Sequence, residues 1–323
     1  MSRLHLSILC ALAMGCAAQS PMTDATADAG PPAAPEDASS PRPDRWVPPL
    51  EEPQTCAQMD ILFVIDDSGS MRHEQENLTD NFPRFVEELE AFRTDDGRSL
   101  DYRVAVTTTG RDLTEIMHHP LGDIRSEHEG PNGAFVGVEA CGAPGAFMQG
   151  GPEIADAFSC VANVGTEGAA IEMPLLMLER ALTDRVSDGQ NSGFLRDDAL
   201  LAVVILTDED DCSDPSDVIE HSSSGGSCDL ERPSVMPTDH FIEALDRIKG
   251  ERGRWALSVI AGPGPGTCES DFGHAAEASR LMQMVEDSGD NAVFSSICEG
   301  DLSTSLVQAI ETFSTACEMF NLI

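Results

Sequence analysis

Continuous apolar runs alternate along the chain with segments whose apolar residues recur at helical spacing. The apolar runs predict strands at 60–65, 102–108, 200–206, 255–261 and 292–296. The helical spacing predicts helices at 76–92 (with the helix proper beginning near Pro83), 169–186, 237–249, 275–287 and 302–320. Because the strands lack a polar face, they are typical of a sheet covered by helices on both sides. We therefore predict an α/β fold with a doubly wound, mostly parallel sheet flanked by helices.

Two long segments interrupt this alternation. Residues 110–165 are rich in glycine and proline, and we predict one long excursion there with a short hairpin near 135–138. Residues 209–235 are predicted to form a second polar loop. The chain contains no internal repeat, so 56–323 is predicted to be one domain enlarged by two loops.

The first 16 residues have the layout of a secretory signal, with Arg3 followed by an apolar stretch. That stretch is shorter than the roughly 20 apolar residues that span a bilayer. Residues 13–16 resemble the bacterial lipobox, which implies lipidation of Cys16, although Ala13 stands where that pattern prefers Leu or Val. Cleavage by ordinary signal peptidase after Ala18 is the alternative. We favour the lipid anchor.

Residues 17–55 are rich in Ala, Pro, Asp and Ser, and we predict a disordered, extended tether. By the family rule for bacterial lipoproteins, Ala17 instead of Asp after Cys16 points to the outer membrane. We therefore expect an exported protein of the cell envelope, an outer-membrane lipoprotein. A periplasmic or secreted protein is the alternative.

Ten cysteines occur in the sequence, two of them within the signal. The remaining eight are an even number in a chain that is predicted to be exported, which indicates disulfides. Local loop closure predicts three pairs, and the two cysteines left over near the domain ends make the fourth. The pairs are Cys141–Cys160, Cys212–Cys228, Cys268–Cys298 and Cys56–Cys317. No CxxC or HxxxH spacing favours a zinc site instead.

The chain is strongly acidic. Asp and Glu number 57 against 19 Lys and Arg, a formal net charge of −38. Such a charge repels phosphate backbones and anionic headgroups, so we expect no nucleic-acid partner and no membrane contact except through a lipid anchor. The same charge attracts divalent cations.

Oxygen-bearing side chains follow two of the predicted strands and precede one of the predicted helices. Asp66, Ser68 and Ser70 come after the first strand, Asp208 follows the 200–206 strand, and Thr166 precedes the 169–186 helix. In an open α/β sheet, ligands bind at the carboxyl ends of the strands. Hard oxygen donors of this kind suit Mg²⁺, Mn²⁺ or Ca²⁺.

Residues 64–71, with the sequence VIDDSGSM, resemble the DxSxS motif of the von Willebrand factor A-type domain. The resemblance covers roughly residues 56–320, and the 110–165 loop is longer than in a minimal domain of this kind. It implies a metal-ion-dependent adhesion site in which a threonine and an aspartate from two further loops join the motif. Thr166 and Asp208 match those two places. One coordination position stays open in such a site, and a carboxylate of a protein partner fills it.

Several neighbouring polar residues have alternative interpretations. Asp67 and Glu209 are candidates to hydrogen-bond water on the metal ion, or to form part of an extra Ca²⁺ site. We interpret the acidic run 209–211 preferentially as a solvated face. His118, His119 and His128 have no spacing typical of a metal site and are interpreted as surface residues.

We predict a metal-dependent protein-binding module of the adhesion type, and not an enzyme. The sequence around Ser68 lacks the first glycine of a GxSxG nucleophile elbow. A metal-assisted hydrolase with Glu209 as general base is one alternative. A structural envelope protein in which the metal only stabilises the fold is the other.

Overall fold

A computed structural model describes the main domain of the chain, and its description covers residues 56–93, 97–142, 145–151, 153–222, 228, 230 and 232–320. The predicted signal at 1–16, with Cys16, and the predicted tether at 17–55 lie outside these residues. Among the described helices, none combines the length and apolar character needed to cross a membrane.

A six-stranded sheet forms the centre of the domain. In spatial order its strands are β11 (Ala292–Ser296), β8 (Trp255–Ala261), β6 (Leu200–Leu206), β1 (Gln58–Ile65), β2 (Asp101–Thr108) and β5 (Met148–Gln149). Neighbouring strands are parallel, except that β5 runs antiparallel to β2. Every residue of β6 is buried, as a strand with helices on both faces requires. The predicted mostly parallel sheet is confirmed.

Seven α-helices occur among the described residues, and six of them contribute buried residues to the core on the two faces of this sheet. They are α1 (Arg72–Ala91), α2 (Ile154–Val161), α3 (Pro174–Leu182), α4 (Asp184–Ser187), α5 (Thr238–Lys249), α6 (Ser279–Ser288) and α7 (Ser303–Phe320). Alternate residues of β1 point to opposite faces, because the side-chain period of a strand is two. Ile61 and Phe63 join a core cluster with residues of α1, α2 and α7, whereas Leu62 and Val64 join a second cluster with residues of α3, α5 and α6. The sheet is therefore doubly wound.

Three helices begin at positions that differ from the prediction. Helix α6 begins at Ser279 and not at 275, because Ala275 pairs with Cys268 in a small antiparallel hairpin. Helix α1 begins at Arg72 and continues through Pro83, because Phe82 and Phe85 are fully buried in the core and their packing outweighs the lost backbone hydrogen bond. Helix α3 begins at Pro174 and not at 169. Proline suits the first turn of a helix, where its missing N–H has no partner to lose.

The two long segments contain a second, three-stranded sheet that the sequence analysis did not predict. Its order is β4 (Ile124–His128), β3 (Leu113–His118) and β7 (Val218–Ser222). The hairpin predicted near 135–138 is wrong, because the antiparallel hairpin of this region is β3–β4. The 209–235 segment is not only loop, since β7 pairs in parallel with β3.

Histidines of this second sheet pair with carboxylates. The Nε2 atoms of His128 and His221 lie 2.9 and 2.7 Å from the two carboxylate oxygens of Glu115. The exposed His118 of β3 contacts Glu220 of β7 at 3.2 Å. These contacts tie neighbouring strands together.

Four disulfides join the eight cysteines of the domain in the four predicted pairs. They are Cys56–Cys317, Cys141–Cys160, Cys212–Cys228 and Cys268–Cys298, with Cα–Cα distances between 5.3 and 6.1 Å. The first ties the segment before β1 to α7. The last anchors a small hairpin formed by β9 (Cys268–Ser270) and β10 (Gly273–Ala275).

Candidate metal centre

The pairing of β1 with β6 places the candidate residues at one edge of the sheet. Ile65 lies opposite Leu206 in the parallel register. The backbone N–H of Asp66 then donates to the carbonyl of Leu206 at 2.9 Å, which extends the pairing by one residue. Asp66 and Asp208 therefore leave the sheet at the same carboxyl edge.

The Asp66 carboxylate is fully buried and held by the chain itself. Its Oδ1 accepts a hydrogen bond from the backbone N–H of Ser68 at 2.8 Å, and its Oδ2 accepts one from the Thr207 hydroxyl at 2.7 Å. Burial, and then the nearby charge of Asp208, raise the pKa of Asp66 to about 7. Two carboxylates that repel each other in a buried position are a setting that a cation stabilises.

Two serine hydroxyls complete this part of the site. The Oγ atoms of Ser68 and Ser70 lie 3.2 Å apart. Burial raises the pKa of Asp208, and a hydrogen bond from Ser70 partly offsets that rise. The Oδ1 atom of Asp208 is buried and has no hydrogen-bond partner among the described residues. An unpartnered carboxylate oxygen beside two hydroxyls fits a hard divalent cation.

The loop that carries Thr166 lies against the same edge. The side-chain amide of Gln75 donates to the carbonyls of both Asp66 and Gly165 at 2.8 Å. A Cβ placed on Gly69 would lie 4.0 Å from the Thr166 carbonyl oxygen. The structure thus brings the backbone of Thr166 beside the DxSxS loop, and the Thr166 side chain is half-buried.

Asp67 holds three loops together. Its carbonyl accepts the N–H of Gly168 at 2.8 Å, and its Oδ1 accepts the Thr109 hydroxyl at 3.2 Å. A Cβ on Gly168 would lie 2.5 Å from Oδ1, and one on Gly110 would lie 2.8 Å from Oδ2. Burial raises the pKa of Asp67, and hydrogen bonds from Thr108 and Thr109 partly offset this. The side chain therefore occupies a space that only glycine neighbours leave open.

Thr109 is a site residue that the sequence analysis missed. Its hydroxyl lies 3.4 Å from Oδ1 of Asp66, in addition to its contact with Asp67. Thr109 directly follows β2, so it stands at the carboxyl end of a strand next to β1. The sequence carried a signal for it, because Thr109 is the polar residue that directly follows the strand predicted at 102–108.

The expectation that 209–211 is a solvated face is wrong. Asp210 is 9 % exposed and Asp211 is fully buried. Asp210 accepts the backbone N–H groups of Arg280 and Leu281 at the start of α6, and Asp211 accepts the N–H of Leu175 at the start of α3. Both carboxylates cap helix N-termini, where their charge complements the unpaired N–H groups.

Two further buried carboxylates flank the centre. Glu74, in the first turn of α1, has an Oε2 without a hydrogen-bond partner among the described residues. Burial, and to a smaller extent Asp208, raise its pKa to about 7. Glu172, in the segment before α3, is 1 % exposed. Burial and the charges of Asp66 and Glu209 raise the pKa of Glu172.

The residues present fit a cation that is held largely by hydroxyls and water. Within the described parts of the chain, no three His, Cys, Asp or Glu side chains are arranged to hold a metal by themselves. A cation at this edge would therefore use the hydroxyls of Ser68 and Ser70 together with Asp208. Asp66 would interact with the cation through water and not directly, because its oxygens already accept hydrogen bonds from the chain.

No protein-family model matches the sequence, and no curated protein matches it. Solved structures resemble the chain at low sequence identity. Proximal thread matrix protein 1 from the mussel byssus is 13% identical, with a TM-score of 0.42 over 80% of this chain and 49% of that one. A structure of that protein with a zinc-occupied MIDAS motif is 14% identical, with a TM-score of 0.41 over 82% of this chain and 47% of that one.

The pilus adhesin SpaC from Lactobacillus rhamnosus GG, in its open conformation, is 10% identical to the chain. The TM-score is 0.40, over 81% of this chain and 30% of that one. The chain thus spans less than half of the length of each of these proteins. The likeness concerns the fold alone.

Proposed function

We propose that this chain is an exported, metal-dependent protein-binding module of the adhesion type. Its metal centre would consist of Asp66, Ser68, Ser70, Thr166 and Asp208, and would capture an acidic group of a protein partner. The buried, unpartnered Oδ1 of Asp208 beside the two serine hydroxyls is the observation that carries the proposal.

The chemistry of the donors explains why such a centre would bind an acid. Asp66 already accepts hydrogen bonds from Ser68 and Thr207, so few anionic oxygens are left for direct contact with the cation. A cation with mostly neutral ligands keeps its attraction for a further anion. The chain's net charge repels an acidic partner, but charges beyond about 8–10 Å are screened at moderate salt. The contact would be short-ranged.

Thermal unfolding of the full chain with and without Mg²⁺, Mn²⁺ or Ca²⁺ tests the centre. A cation at 100 times its Kd should stabilise the native state by about 2.7 kcal/mol. Ser68→Ala and Asp208→Ala should remove this stabilisation. The exposed residues Ser192 and Asp156 supply matched controls, since Ser192→Ala and Asp156→Ala should retain it. Equal metal responses in all four variants would reject the centre.

Capture of a partner protein then distinguishes a metal ion that binds the partner from a metal ion that only stabilises the fold. Crosslinking in the native envelope should give a product that depends on Mg²⁺, is lost in EDTA and is lost in Ser68→Ala. A metal that only stabilises the fold would give the same products with and without the ion. A metal-assisted hydrolase would instead show metal-dependent turnover of esters or phosphoesters that Glu209→Gln abolishes.

A further inference from the structure

His118 lies between two carboxylates on the second sheet. Its Nδ1 is 3.0 Å from an oxygen of Asp123, in the turn before β4, and its Nε2 is 3.2 Å from an oxygen of Glu220 on β7. A neutral imidazole has one N–H and one bare nitrogen, so it can donate to only one of two acceptors. The arrangement therefore suits the imidazolium form, which donates to both.

A second group of this kind lies on the other face of the sheet, because Glu115 and His118 are three positions apart on β3. The carboxylate of Glu115 lies 2.9 Å from Nε2 of His128 on β4 and 2.7 Å from Nε2 of His221 on β7. The Nδ1 of His221 lies 3.4 Å from the carbonyl oxygen of Ser222, so acceptors face both nitrogens of this ring as well. The two groups join β3 to β7 on both faces of the sheet.

The start of β7 is held without histidines. The side chain of Arg111 is 1 % exposed, and its guanidinium donates to the carbonyls of Asp214 and Ser216 at 2.7 and 3.0 Å. The N–H of Thr114 donates to the carbonyl of Asp217 at 2.9 Å. A guanidinium stays charged in a folded protein, so these contacts persist near neutral pH. Only the last residues of β7 depend on the histidines.

The exposed face carries few other charges that could neutralise His118. Hydrogen bonds to Asp123, and then to Glu220, raise the pKa of His118 above its ordinary value of 6.5. On the same face, Arg125 and Glu127 of β4 pair with each other at 2.6 Å. A raised histidine pKa stabilises the folded state below 6.5, and this contribution is lost as the pH rises through the folded-state value.

Glu115 titrates in the opposite direction. Burial raises the pKa of Glu115, but the hydrogen bonds from His221 and His128 together outweigh burial and hold the pKa below its ordinary value of 4.5. A lowered carboxyl pKa stabilises the folded state above 4.5, and this contribution is lost as the pH falls through the folded-state value. The contributions of Glu115 and His118 are therefore present together between about pH 4.5 and 6.5.

We propose that the second sheet contains a pH-sensitive clasp, which binds the last residues of β7 to β3 in mildly acidic conditions and releases them as the pH rises above neutral. The clasp consists of two residues of β3 and two of β7, namely Glu115, His118, Glu220 and His221. When its ring loses a proton, His118 can no longer donate to both carboxylates, and the charge attraction at Glu115 is lost when His221 does the same. The clasp is independent of the candidate metal centre.

Amide hydrogen exchange of the full chain at pH 5.5 and pH 8, in EDTA and corrected for the intrinsic pH dependence of exchange, tests the clasp. Protection of the β7 amides should fall between these pH values in the wild type, because the last residues of the strand open locally. His118→Gln and His221→Gln each replace a titrating ring by an amide that does not titrate. The fall should be about two- to fivefold smaller in each variant, as expected for the loss of one charge pair.

His240 supplies the matched control, because it pairs with Glu179 at 3.0 Å outside the second sheet. His240→Gln should retain the fall seen in the wild type. The His118 side chain is 47 % exposed, so His118→Gln should fold even if His221→Gln does not. An equal fall in the wild type, His118→Gln and His240→Gln would overturn the clasp. A fall reduced as much in His240→Gln as in His118→Gln would also overturn it, because global unfolding would then open β7.

Discussion

The Asp210 carboxylate lies at the N-terminus of α6 and accepts the backbone N–H of Arg280 at 2.9 Å. The residue at the N-cap position of α6, Ala278, has no side-chain oxygen to do this. Asp210, which lies 70 positions before Arg280 in the sequence, therefore caps the helix. Asp210 follows Asp208 by two residues, so the cap also fixes the loop that carries the candidate metal ligand.

Asp210→Ala should reduce the free energy of unfolding by about 1–2 kcal/mol, because it removes the cap from α6. Asp210→Asn keeps an acceptor oxygen and should cost less. Chemical denaturation of both variants measures the difference. The exposed Asp198 provides the control, since Asp198→Ala should change stability little. An equal loss in Asp210→Ala and Asp198→Ala would contradict the capping role.

The pH dependence of stability should show the repulsion between the carboxylates of the candidate metal centre. The folded-state pKa of Asp66 is raised from 3.8 to about 7, so the folded chain binds more protons than the unfolded chain in that window. Without a cation, the free energy of unfolding should therefore fall as the pH rises from about 4 to about 7. Saturating Mg²⁺ should flatten this fall, because it favours the ionised carboxylates.

Denaturation between pH 5 and 7.5, in EDTA and in Mg²⁺, measures this slope. Asp66→Asn should reduce the slope without abolishing it, because Glu74 also has a pKa raised to about 7. Glu115 and Asp246 have lowered pKa values and titrate below this range. A slope that is identical in Asp66→Asn and in the exposed-site variant Asp156→Asn would count against the role of Asp66.

The sequence predicted the central sheet well, because its strands carry an unambiguous signal. All residues of β6 are apolar, and no amphipathic helix has that pattern. The strands of the second sheet carry a weak signal, since each has five or six residues and a mixture of buried and exposed positions. The partner of Thr114 is Val218, about 100 residues away, and no local pattern reveals such a pairing.

The part of the candidate site that directly follows the central strands was predictable from the sequence. Asp66, Ser68, Ser70 and Asp208 follow β1 and β6, and the parallel register of these strands brings them together. Glu172 was not predictable, because a helix expected from 169 placed it in a helix interior. The observed start of α3 at Pro174 leaves Glu172 in the preceding segment.

Thr109→Val should weaken both the fold and the response to a cation. The Thr109 hydroxyl contacts Asp67 and Asp66, and hydrogen bonds to charged groups contribute about 1.5–3 kcal/mol. Thr109→Ser keeps the hydroxyl and serves as the matched variant. Chemical denaturation and Mg²⁺ titration should both rank the wild type and Thr109→Ser above Thr109→Val. Indistinguishable denaturation and titration curves for Thr109→Val and Thr109→Ser would show that the hydroxyl contributes neither to stability nor to the response to Mg²⁺.

Gly168→Ala should disturb the candidate metal centre through its contact with Asp67. The added Cβ would lie 2.5 Å from the Asp67 carboxylate and 2.7 Å from its carbonyl oxygen, closer than real Cβ contacts allow. The loop that carries Thr166 must then move away from the DxSxS loop, so we expect a lower melting temperature and a weaker shift with Mg²⁺. Gly137 has no atom within 4 Å of its Cβ position, and Gly137→Ala should leave both unchanged. A Gly168→Ala variant that melts and binds Mg²⁺ like Gly137→Ala would show that close packing of Gly168 on Asp67 does not position the loop.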